Sequence, residues 1–326
     1  MIKKTLIAFV LIFISWTCYV TFIYKGSNDA YQLQENLIKV EKYLYSDSAI
    51  SNVLIGTSLS HGLDQDSLHG IYNMALVGEG IFEGLDAIEH SKTLPKNVFI
   101  EMNIVYRAEM PEIKQEIFSP FTFYPKRYLP SLRSDKEPLP ILTDRIVTPV
   151  FGKLYWKTIL TFRSVKKAIA GLFPSSPLKT DTNSIMVEVK QPSKSVDKIV
   201  TTTKSTSNDS IKRKMEMEKA QFANPADSMD MTSQFETLKQ EVSSLKEKGV
   251  NVIFYEMPLN ASLVDSNLSV QVRRTFYRNF PVTDNKYIYL PADNRSYITI
   301  DGFHLTETEF RKYSGYFMAE ARKLMK

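Results

Sequence analysis

Four short apolar runs recur along the chain, each bounded by polar residues or by a turn. They occupy residues 53–56, 97–103, 250–258 and 287–290. Runs of this kind, predominantly apolar rather than alternating, are typical of strands that are buried on both faces of a parallel sheet. The first run stops at Gly56, which predicts a tight turn directly after that strand.

Helical patterns separate these runs. Between about Met231 and Lys248 the apolar positions are spaced by 3, 4 and 3 residues, which places them on one face of a helix, and Gly249 predicts its end. The positions are Phe235, Leu238, Val242 and Leu245. Near the carboxyl end, Thr306 and Glu309 form a capping box that predicts the start of a last helix. Strands alternating with helices predict an α/β fold, a three-layer α/β/α sandwich with a mostly parallel sheet.

The amino-terminal segment has a different pattern. Residues 5–24 contain no charge and follow Lys3 and Lys4, and about twenty apolar residues is the length that crosses a bilayer as a helix. We expect residues 1–25 to be an uncleaved anchor in the inner (cytoplasmic) membrane, crossing it once. A cleaved signal peptide is the alternative. Either interpretation places residues 26–326 in the periplasm or another extracytoplasmic space.

Two further segments stand out. Residues 174–230 are rich in Ser, Thr and Lys and poor in aromatic residues, so we expect a polar insertion there, in part without fixed structure. A protein-recruiting role of this insertion is a minor hypothesis. Residues 118–132 are instead rich in aromatic side chains, which is typical of the core of a cap and, less often, of a surface that stacks on sugars.

The amino-acid composition excludes several kinds of site and partner. Of 326 residues, 43% are hydrophobic and 24% charged, as in ordinary globular proteins, and 41 basic against 36 acidic side chains give a net charge of +5. These charges are interspersed, so we expect no nucleic-acid partner. Cys18 is the one cysteine, which excludes an intrachain disulfide and a cysteine-based zinc cluster. We expect neither a metal site nor a cofactor.

A serine follows the first predicted strand in the run Gly56-Thr-Ser-Leu-Ser60. A serine on a sharp turn at the carboxyl end of a parallel strand is exposed where open α/β sheets place their active sites. Ser58 is therefore a candidate nucleophile. A polar turn that caps the next helix is the alternative interpretation.

An aspartate and a histidine lie three residues apart just before the last predicted helix, in Asp301-Gly-Phe-His304. At this spacing the carboxylate can hold the Nδ1 proton of the imidazole, which leaves Nε2 to take a proton from a serine. The pair is thus a candidate acid and base. Taken alone, the same spacing is also compatible with a capping or surface role.

Together, the two motifs resemble those of the SGNH (GDSL-like) hydrolase and acyltransferase superfamily, in its divergent, membrane-anchored branch from bacterial envelopes. The resemblance implies a flavodoxin-like sheet, with Ser58 as nucleophile and Asp301 and His304 as acid and base. It also nominates Gly78, at the end of the run 73–78, and Asn103, in the run 100–103, as oxyanion donors. The chain departs from the family's motifs at Thr57 and Ala75, where an aspartate and a glycine are usual.

The resemblance implies a serine-dependent esterase or O-acyltransferase that acts on a cell-envelope polysaccharide or glycolipid. The expected partners are an acylated glycan or glycolipid substrate and an integral-membrane acyl-donor protein. The alternative is a non-catalytic, membrane-anchored protein of the same fold that binds glycan or scaffolds a biosynthetic complex. His61 is a weaker candidate for the base. Glu79, Glu101 and Arg107 are candidates for substrate contact or for ordinary solvated charges.

Overall fold

The computed structural model describes residues 2–23, 32–63, 66–109, 111–136, 216, 222–223 and 228–325. The predicted insertion at 174–230 therefore lies almost entirely outside the described residues. The same is true of the predicted boundary between the anchor and the remaining chain, at residues 25 and 26.

One sheet of five strands forms the centre of the fold, in the order β2-β1-β3-β4-β5. Every pairing between neighbouring strands in it is parallel. The strands are β1 (Asn52–Gly56), β2 (Tyr72–Ala75), β3 (Asn97–Glu101), β4 (Asn251–Tyr255) and β5 (Ile288–Tyr289). Because the strands are parallel, their carboxyl ends meet at one edge of the sheet, and β1 lies there between β2 and β3.

Ten α-helices occur in the described parts of the chain. They are α1 (Ile2–Cys18), α2 (Gln32–Leu44), α3 (Ser58–His61), α4 (Phe82–Glu89), α5 (Pro111–Phe118), α6 (Pro120–Tyr128), α7 (Ser228–Glu247), α8 (Ala261–Val264), α9 (Asn267–Asn279) and α10 (Glu307–Leu324). A π-helical turn over Tyr19–Ile23 continues α1, and short 3-10 turns over Pro130–Leu132 and Ser134–Lys136 follow α6.

Helices cover both faces of the sheet. Phe254 of β4 packs against Phe276 of α9, with ring centroids 4.9 Å apart. Phe99 of β3 pairs in register with Ile253, the neighbour of Phe254, so Phe99 and Phe254 point to opposite faces. Phe99 packs against Phe317 of α10, with ring centroids 5.4 Å apart. The apolar runs are therefore strands enclosed between two groups of helices.

The structure confirms the mixed α/β class and the four predicted strands, of which the last is reduced to residues 288–289. It also confirms the helix predicted over 231–248, whose four apolar positions are all buried. Gly249 ends that helix with a φ of 82°, a backbone conformation that favours glycine. Thr306 caps α10 as predicted, since its hydroxyl accepts from the N–H of Glu309 at 3.4 Å. Strand β2 was not predicted.

The amino-terminal segment, predicted to cross a membrane over residues 5–24, forms α1 and the π-helical turn that follows it. In the part of the chain that the structure describes, no helix is both long enough and apolar enough to cross a membrane. The carboxyl end of α1 packs on the 3-10 turn Pro130–Leu132, where the Thr17 hydroxyl donates to the Ser131 hydroxyl at 3.2 Å.

A buried ion pair attaches residues 111–136 to α2. The Lys126 ammonium donates to Glu41 Oε1 at 2.9 Å, and both side chains are buried. Glu41 also accepts from the N–H of Ser134 at 2.7 Å and from its hydroxyl at 2.8 Å. Although burial alone would lower it, Glu41 and Glu116 raise the pKa of Lys126, so the Lys126 ammonium stays charged.

The aromatic segment 118–132 only partly forms a cap core. Phe118 stacks on His90, with centroids 4.3 Å apart, and Phe123 packs against Tyr45, with centroids 5.9 Å apart. The prediction of a buried cluster is wrong for three members on one face of α6, because their side chains are exposed. These are Phe121, Tyr124 and Tyr128.

We predict that Glu41→Ala destabilises the protein by about 3–5 kcal/mol, because it leaves the Lys126 ammonium buried without its main partner. The free energy of unfolding from chemical denaturation of the full chain measures this loss. The control is Arg311→Ala, which removes an exposed ion pair with Glu307 and costs less than about 1 kcal/mol. Equal losses in the two variants contradict the prediction.

Candidate active site

The turn after β1 presents Ser58 at the start of a short helix. Thr57 has extended backbone, with a φ of −104°, and its hydroxyl oxygen accepts from the N–H of Leu59 at 3.3 Å. The Thr57 carbonyl accepts from the N–H groups of Ser60 and His61, at 3.1 Å each. The strand therefore changes into α3 within one residue, and Ser58 lies half-buried at the carboxyl edge of the sheet.

The structure brings Ser58, His304 and Asp301 together. His304 Nε2 lies 3.0 Å from Ser58 Oγ, although the two residues are 246 positions apart in the chain. On the other side of the ring, His304 Nδ1 lies 2.7 Å from Asp301 Oδ2. The His304 side chain is 38% exposed, so the group of three is open to solvent on one side.

Backbone groups fix the orientation of Asp301. Its Oδ1 accepts from the N–H of Phe303 at 3.0 Å and from that of His304 at 2.8 Å. Burial alone would raise the pKa of Asp301, but the hydrogen bonds from His304 and Phe303 lower that pKa to about 2. The carboxylate is therefore ionised at neutral pH and favours the tautomer with a proton on Nδ1. In that tautomer, Nε2 is an acceptor for the Ser58 hydroxyl.

The two candidate oxyanion donors come from the strands on either side of β1. Gly78 lies in the turn three residues after β2, and its φ of 83° favours glycine. Asn103 lies two residues after β3. Since β1 pairs with both β2 and β3, these residues follow strands that flank the one carrying Ser58.

Contacts to neighbouring loops constrain both candidates. Asn103 Nδ2 donates to the Met257 carbonyl at 2.9 Å, and Asn103 Oδ1 accepts from the Met257 N–H at 2.7 Å. One of the two protons on Nδ2 is thus used to hold the segment after β4. Next to Gly78, the Val77 backbone is held by both polar groups of the Asn36 amide, from α2.

A buried carboxyl group lies beneath the turn that carries Ser58. Glu101, at the end of β3, accepts from the N–H and the hydroxyl of Thr57, at 2.9 Å each, and from the Ser60 hydroxyl at 2.5 Å. Tyr255 donates to Ser60 Oγ at 2.7 Å. Complete burial raises the pKa of Glu101, against the opposing effect of the hydrogen bonds from Ser60 and Thr57. Glu101 is therefore neither a solvated charge nor exposed for substrate contact, contrary to both sequence interpretations.

Gly56 leaves room for this network. A Cβ atom at residue 56 would lie 2.7 Å from Glu101 Oε2, 2.8 Å from Ser60 Oγ and 2.9 Å from the Tyr255 hydroxyl. All three distances are shorter than a carbon atom tolerates. The glycine before Thr57 is therefore required by the close approach of three polar side chains.

His61 belongs to a second polar cluster, between α2 and α3. Its Nδ1 lies 2.7 Å from the Lys39 ammonium, and its Nε2 lies 3.1 Å from Glu35 Oε1. Burial lowers the pKa of Lys39 to about 8. Both ring nitrogens of His61 are thus occupied by α2, whereas the His304 ring contacts Ser58 directly.

The remaining candidates do not form a second site. Glu79 is buried, and its backbone carbonyl accepts from Arg107 Nη1 at 2.9 Å, so this pair ties the turn after β2 to the loop after β3. Among the described residues, no group of three or more His, Cys, Asp or Glu side chains is placed to hold a metal ion.

Comparison with protein-family models, with curated proteins and with solved structures finds no match to this chain. A hydroxyl in contact with an imidazole that is oriented by an ionised carboxylate is an arrangement that activates serine for attack on a carbonyl.

We predict that Ser60→Ala and Glu101→Gln are energetically coupled, because both change the same buried hydrogen bond, the first by removing its donor and the second by replacing its charged acceptor. The sum of the two single losses in unfolding free energy should differ from the double-mutant loss by about 0.5–3 kcal/mol. The matched control pairs Ser60→Ala with Glu41→Gln, a buried carboxylate elsewhere, and should be additive within about 0.5 kcal/mol. If the effects of Ser60→Ala and Glu101→Gln are additive, the contact between Ser60 and Glu101 contributes nothing to the free energy of unfolding.

The pKa of Asp301 predicts a pH-dependent contribution to stability. The folded-state pKa of about 2 lies below the ordinary value of about 3.9, so the ionised carboxylate stabilises the fold above about pH 4. This contribution disappears as the pH falls through about 2. The unfolding free energies of the wild type and Asp301→Asn, measured from pH 2 to 6, should therefore converge at the acid end. A difference that stays constant over this range contradicts the assignment.

Proposed function

We propose that the protein is a serine-dependent esterase or O-acyltransferase that acts on a cell-envelope polysaccharide or glycolipid. The observation that carries this proposal is the contact of His304 Nε2 with Ser58 Oγ at 3.0 Å, with His304 Nδ1 held by Asp301 at 2.7 Å. The contact is supported by its setting at the carboxyl edge of a parallel sheet, where α/β proteins commonly bind their ligands.

In the proposed mechanism, His304 Nε2 takes the proton from Ser58 Oγ as that oxygen attacks an ester carbonyl. The new bond joins Oγ to the carbonyl carbon. The bond to the alcohol then breaks, and that alcohol leaves with the proton held by His304. Water or a sugar hydroxyl then attacks the acyl carbon and gives its proton to His304. The bond between that carbon and Ser58 Oγ breaks, and Oγ takes the proton back from His304. Asp301 stabilises the imidazolium in both steps.

The proposed oxyanion donors are the N–H groups of Ser58 and Gly78 and the side-chain amide of Asn103. Such donors stabilise the charge that develops on the carbonyl oxygen, and losing one costs about 10²–10³ in turnover. Because one Nδ2 proton of Asn103 already binds the Met257 carbonyl, the other is the one proposed to act. Glu101 is proposed as a positioning residue, since it is fully buried and contacts the turn that carries Ser58.

The proposed relationship to the SGNH superfamily is supported by the order of the motifs and by the sheet. The strand order 2-1-3-4-5 is that of flavodoxin-like folds, and helices cover both faces of the sheet. In this fold, the proposed nucleophile Ser58 follows β1, and the proposed acid and base, Asp301 and His304, precede α10.

The proposed location is outside the cytoplasm, with the amino-terminal segment in the inner membrane. It is supported by the apolar sequence of residues 5–24 and by the surface of α1, most of whose large apolar side chains are exposed.

An esterase and a transferase share the same acyl-enzyme. An acylated envelope glycan or glycolipid is the proposed substrate, and an integral-membrane protein that supplies acyl groups is the proposed partner of a transferase.

A non-catalytic role in glycan binding or in a biosynthetic complex is the second candidate. One observation favours it: the Asn103 amide is engaged at both its oxygen and its nitrogen by the Met257 backbone. An asparagine used only to hold two loops together would leave the site with one oxyanion donor fewer.

Covalent labelling by a fluorophosphonate probe tests the proposal. We expect the full chain to be labelled at Ser58, with no labelling of Ser58→Ala. Labelling of His304→Ala should be about 10²–10⁴ slower, the usual contribution of a general base. The controls are Ser262→Ala and His69→Ala, which change an exposed serine and an exposed histidine and should label at the wild-type rate. A folded chain that is not labelled at Ser58 favours the non-catalytic candidate.

A further inference from the structure

One face of α6 is exposed and aromatic. Phe121, Tyr124 and Tyr128 are 90%, 56% and 74% exposed, and their spacing of three and four residues places them on the same side of the helix. Leu129, which follows directly, is also exposed. We refer to these four side chains as the aromatic face.

The opposite side of α6 is fixed to the protein. Lys126 is buried in its ion pair with Glu41, and Phe123 packs on Tyr45. The Tyr45 hydroxyl also donates to the Phe123 carbonyl at 3.3 Å. The helix therefore cannot turn its aromatic face inward without breaking a buried ion pair. These side chains are presented outward by a rigid attachment.

The aromatic face lies beside the end of α1. The 3-10 turn that begins two residues after Tyr128 packs against α1 and against the π-helical turn. The hydrogen bond between Thr17 and Ser131 joins the two segments. An exposed aromatic surface and an apolar helix thus meet at one corner of the molecule.

Helix α1 exposes apolar side chains in every direction around its axis. The large apolar residues exposed along it number seven, four of them consecutive, so no single face of the helix is left for water. They are Leu6, Ile7, Phe9, Val10, Leu11, Ile12 and Ile14. A helix that is apolar all round belongs in lipid or in a protein interior.

The charge of this corner favours lipid with anionic headgroups. Residues 120–133 contain no aspartate or glutamate, and of their three cationic residues Lys126 is buried against Glu41, which leaves Arg127 and Arg133 as the partly exposed cations. The Arg127 guanidinium lies 5.7 Å from the centroid of the Phe123 ring, and that of Arg133 lies 5.1 Å from the Tyr45 ring. Aromatic side chains beside cationic ones are the composition found at the boundary between headgroups and acyl chains.

We propose that the aromatic face of α6 lies at the boundary between the headgroups and the acyl chains of an anionic phospholipid bilayer, next to α1. This inference rests on the membrane location in the proposed function and adds a second contact to it. The contact fixes the orientation of the domain on the bilayer, because α6 is attached to α2 and α2 packs against β2. Such a domain is docked on the membrane surface and does not swing on its amino-terminal segment.

Site-specific fluorescence on the full chain tests the inference. Single cysteines are placed by Phe121→Cys, Tyr124→Cys or Tyr128→Cys in a Cys18→Ser background and labelled with a polarity-sensitive fluorophore. The chains are reconstituted into vesicles of phosphatidylcholine and phosphatidylglycerol that contain a doxyl-labelled phospholipid. We expect emission at all three positions to shift to shorter wavelength and to be quenched by the doxyl group, more strongly than in vesicles of phosphatidylcholine alone.

Two controls distinguish lipid contact from general effects of reconstitution. Tyr277→Cys on α9 and Val282→Cys, which changes a side chain 61% exposed, lie toward the β5 edge of the sheet, away from α2 and α6. Their emission should be neither shifted nor quenched. All substituted positions are exposed, so we expect every variant to fold.

The possible outcomes distinguish a failure of this inference from a failure of the membrane location on which it rests. If the chain floats with the vesicles and positions 121, 124 and 128 behave like the controls, the inference is wrong and the membrane location stands. If their emission is already shifted without vesicles and is not quenched, protein covers the face, from residues 137–215 or from a second copy, and the inference is wrong. If the chain does not float with the vesicles, both the inference and the membrane location are wrong. The labelling of Ser58 tests the proposed chemistry separately.

Discussion

Glu101 places a carboxyl group, fully removed from solvent, beneath the turn that carries Ser58 and accepts three hydrogen bonds from Thr57 and Ser60. Each donor would otherwise be a buried polar group without a partner, at a cost of about 1–3 kcal/mol. The backbone of the turn is thus held at one position above the sheet. The 3.0 Å contact between Ser58 and His304 depends on that position, because His304 is fixed independently by Asp301.

The sequence pattern predicted the centre of the fold better than its edges. The runs 53–56 and 97–103 are predominantly apolar because β1 and β3 are enclosed on both faces, and this environment is visible in the sequence. Strand β2 lies at the edge of the sheet, and its one polar residue with a buried side chain, Asn73, precedes the apolar residues 74–77. The Asn73 amide donates to the carbonyls of Ser60 and Leu63, so its burial depends on partners 13 and 10 positions away that the local pattern does not reveal. The helix over 231–248 was predictable because its buried stripe follows the helical period.

In the candidate site, too, some residues were predictable from the sequence and others were not. Asp301 and His304 were predictable because their contacts join residues two or three positions apart, so a local motif contains the geometry. Glu101 was not, because its partner Ser60 lies 41 positions away and Tyr255 lies 195 positions from Ser60. A carboxyl group with distant partners has the same local sequence as a solvated one. The burial of Glu101 was therefore evident only from the packed sheet.

The separation of 246 residues between Ser58 and His304 has a consequence for biosynthesis. The chain is made from its amino end, so β1, β3 and the turn between Gly56 and Ser60 can assemble before Tyr255 and His304 have left the ribosome. A nascent chain of this kind contains the serine without its general base. For the proposed chemistry, the nucleophile therefore stays inert during translation and becomes reactive only once the carboxyl-terminal segment has docked.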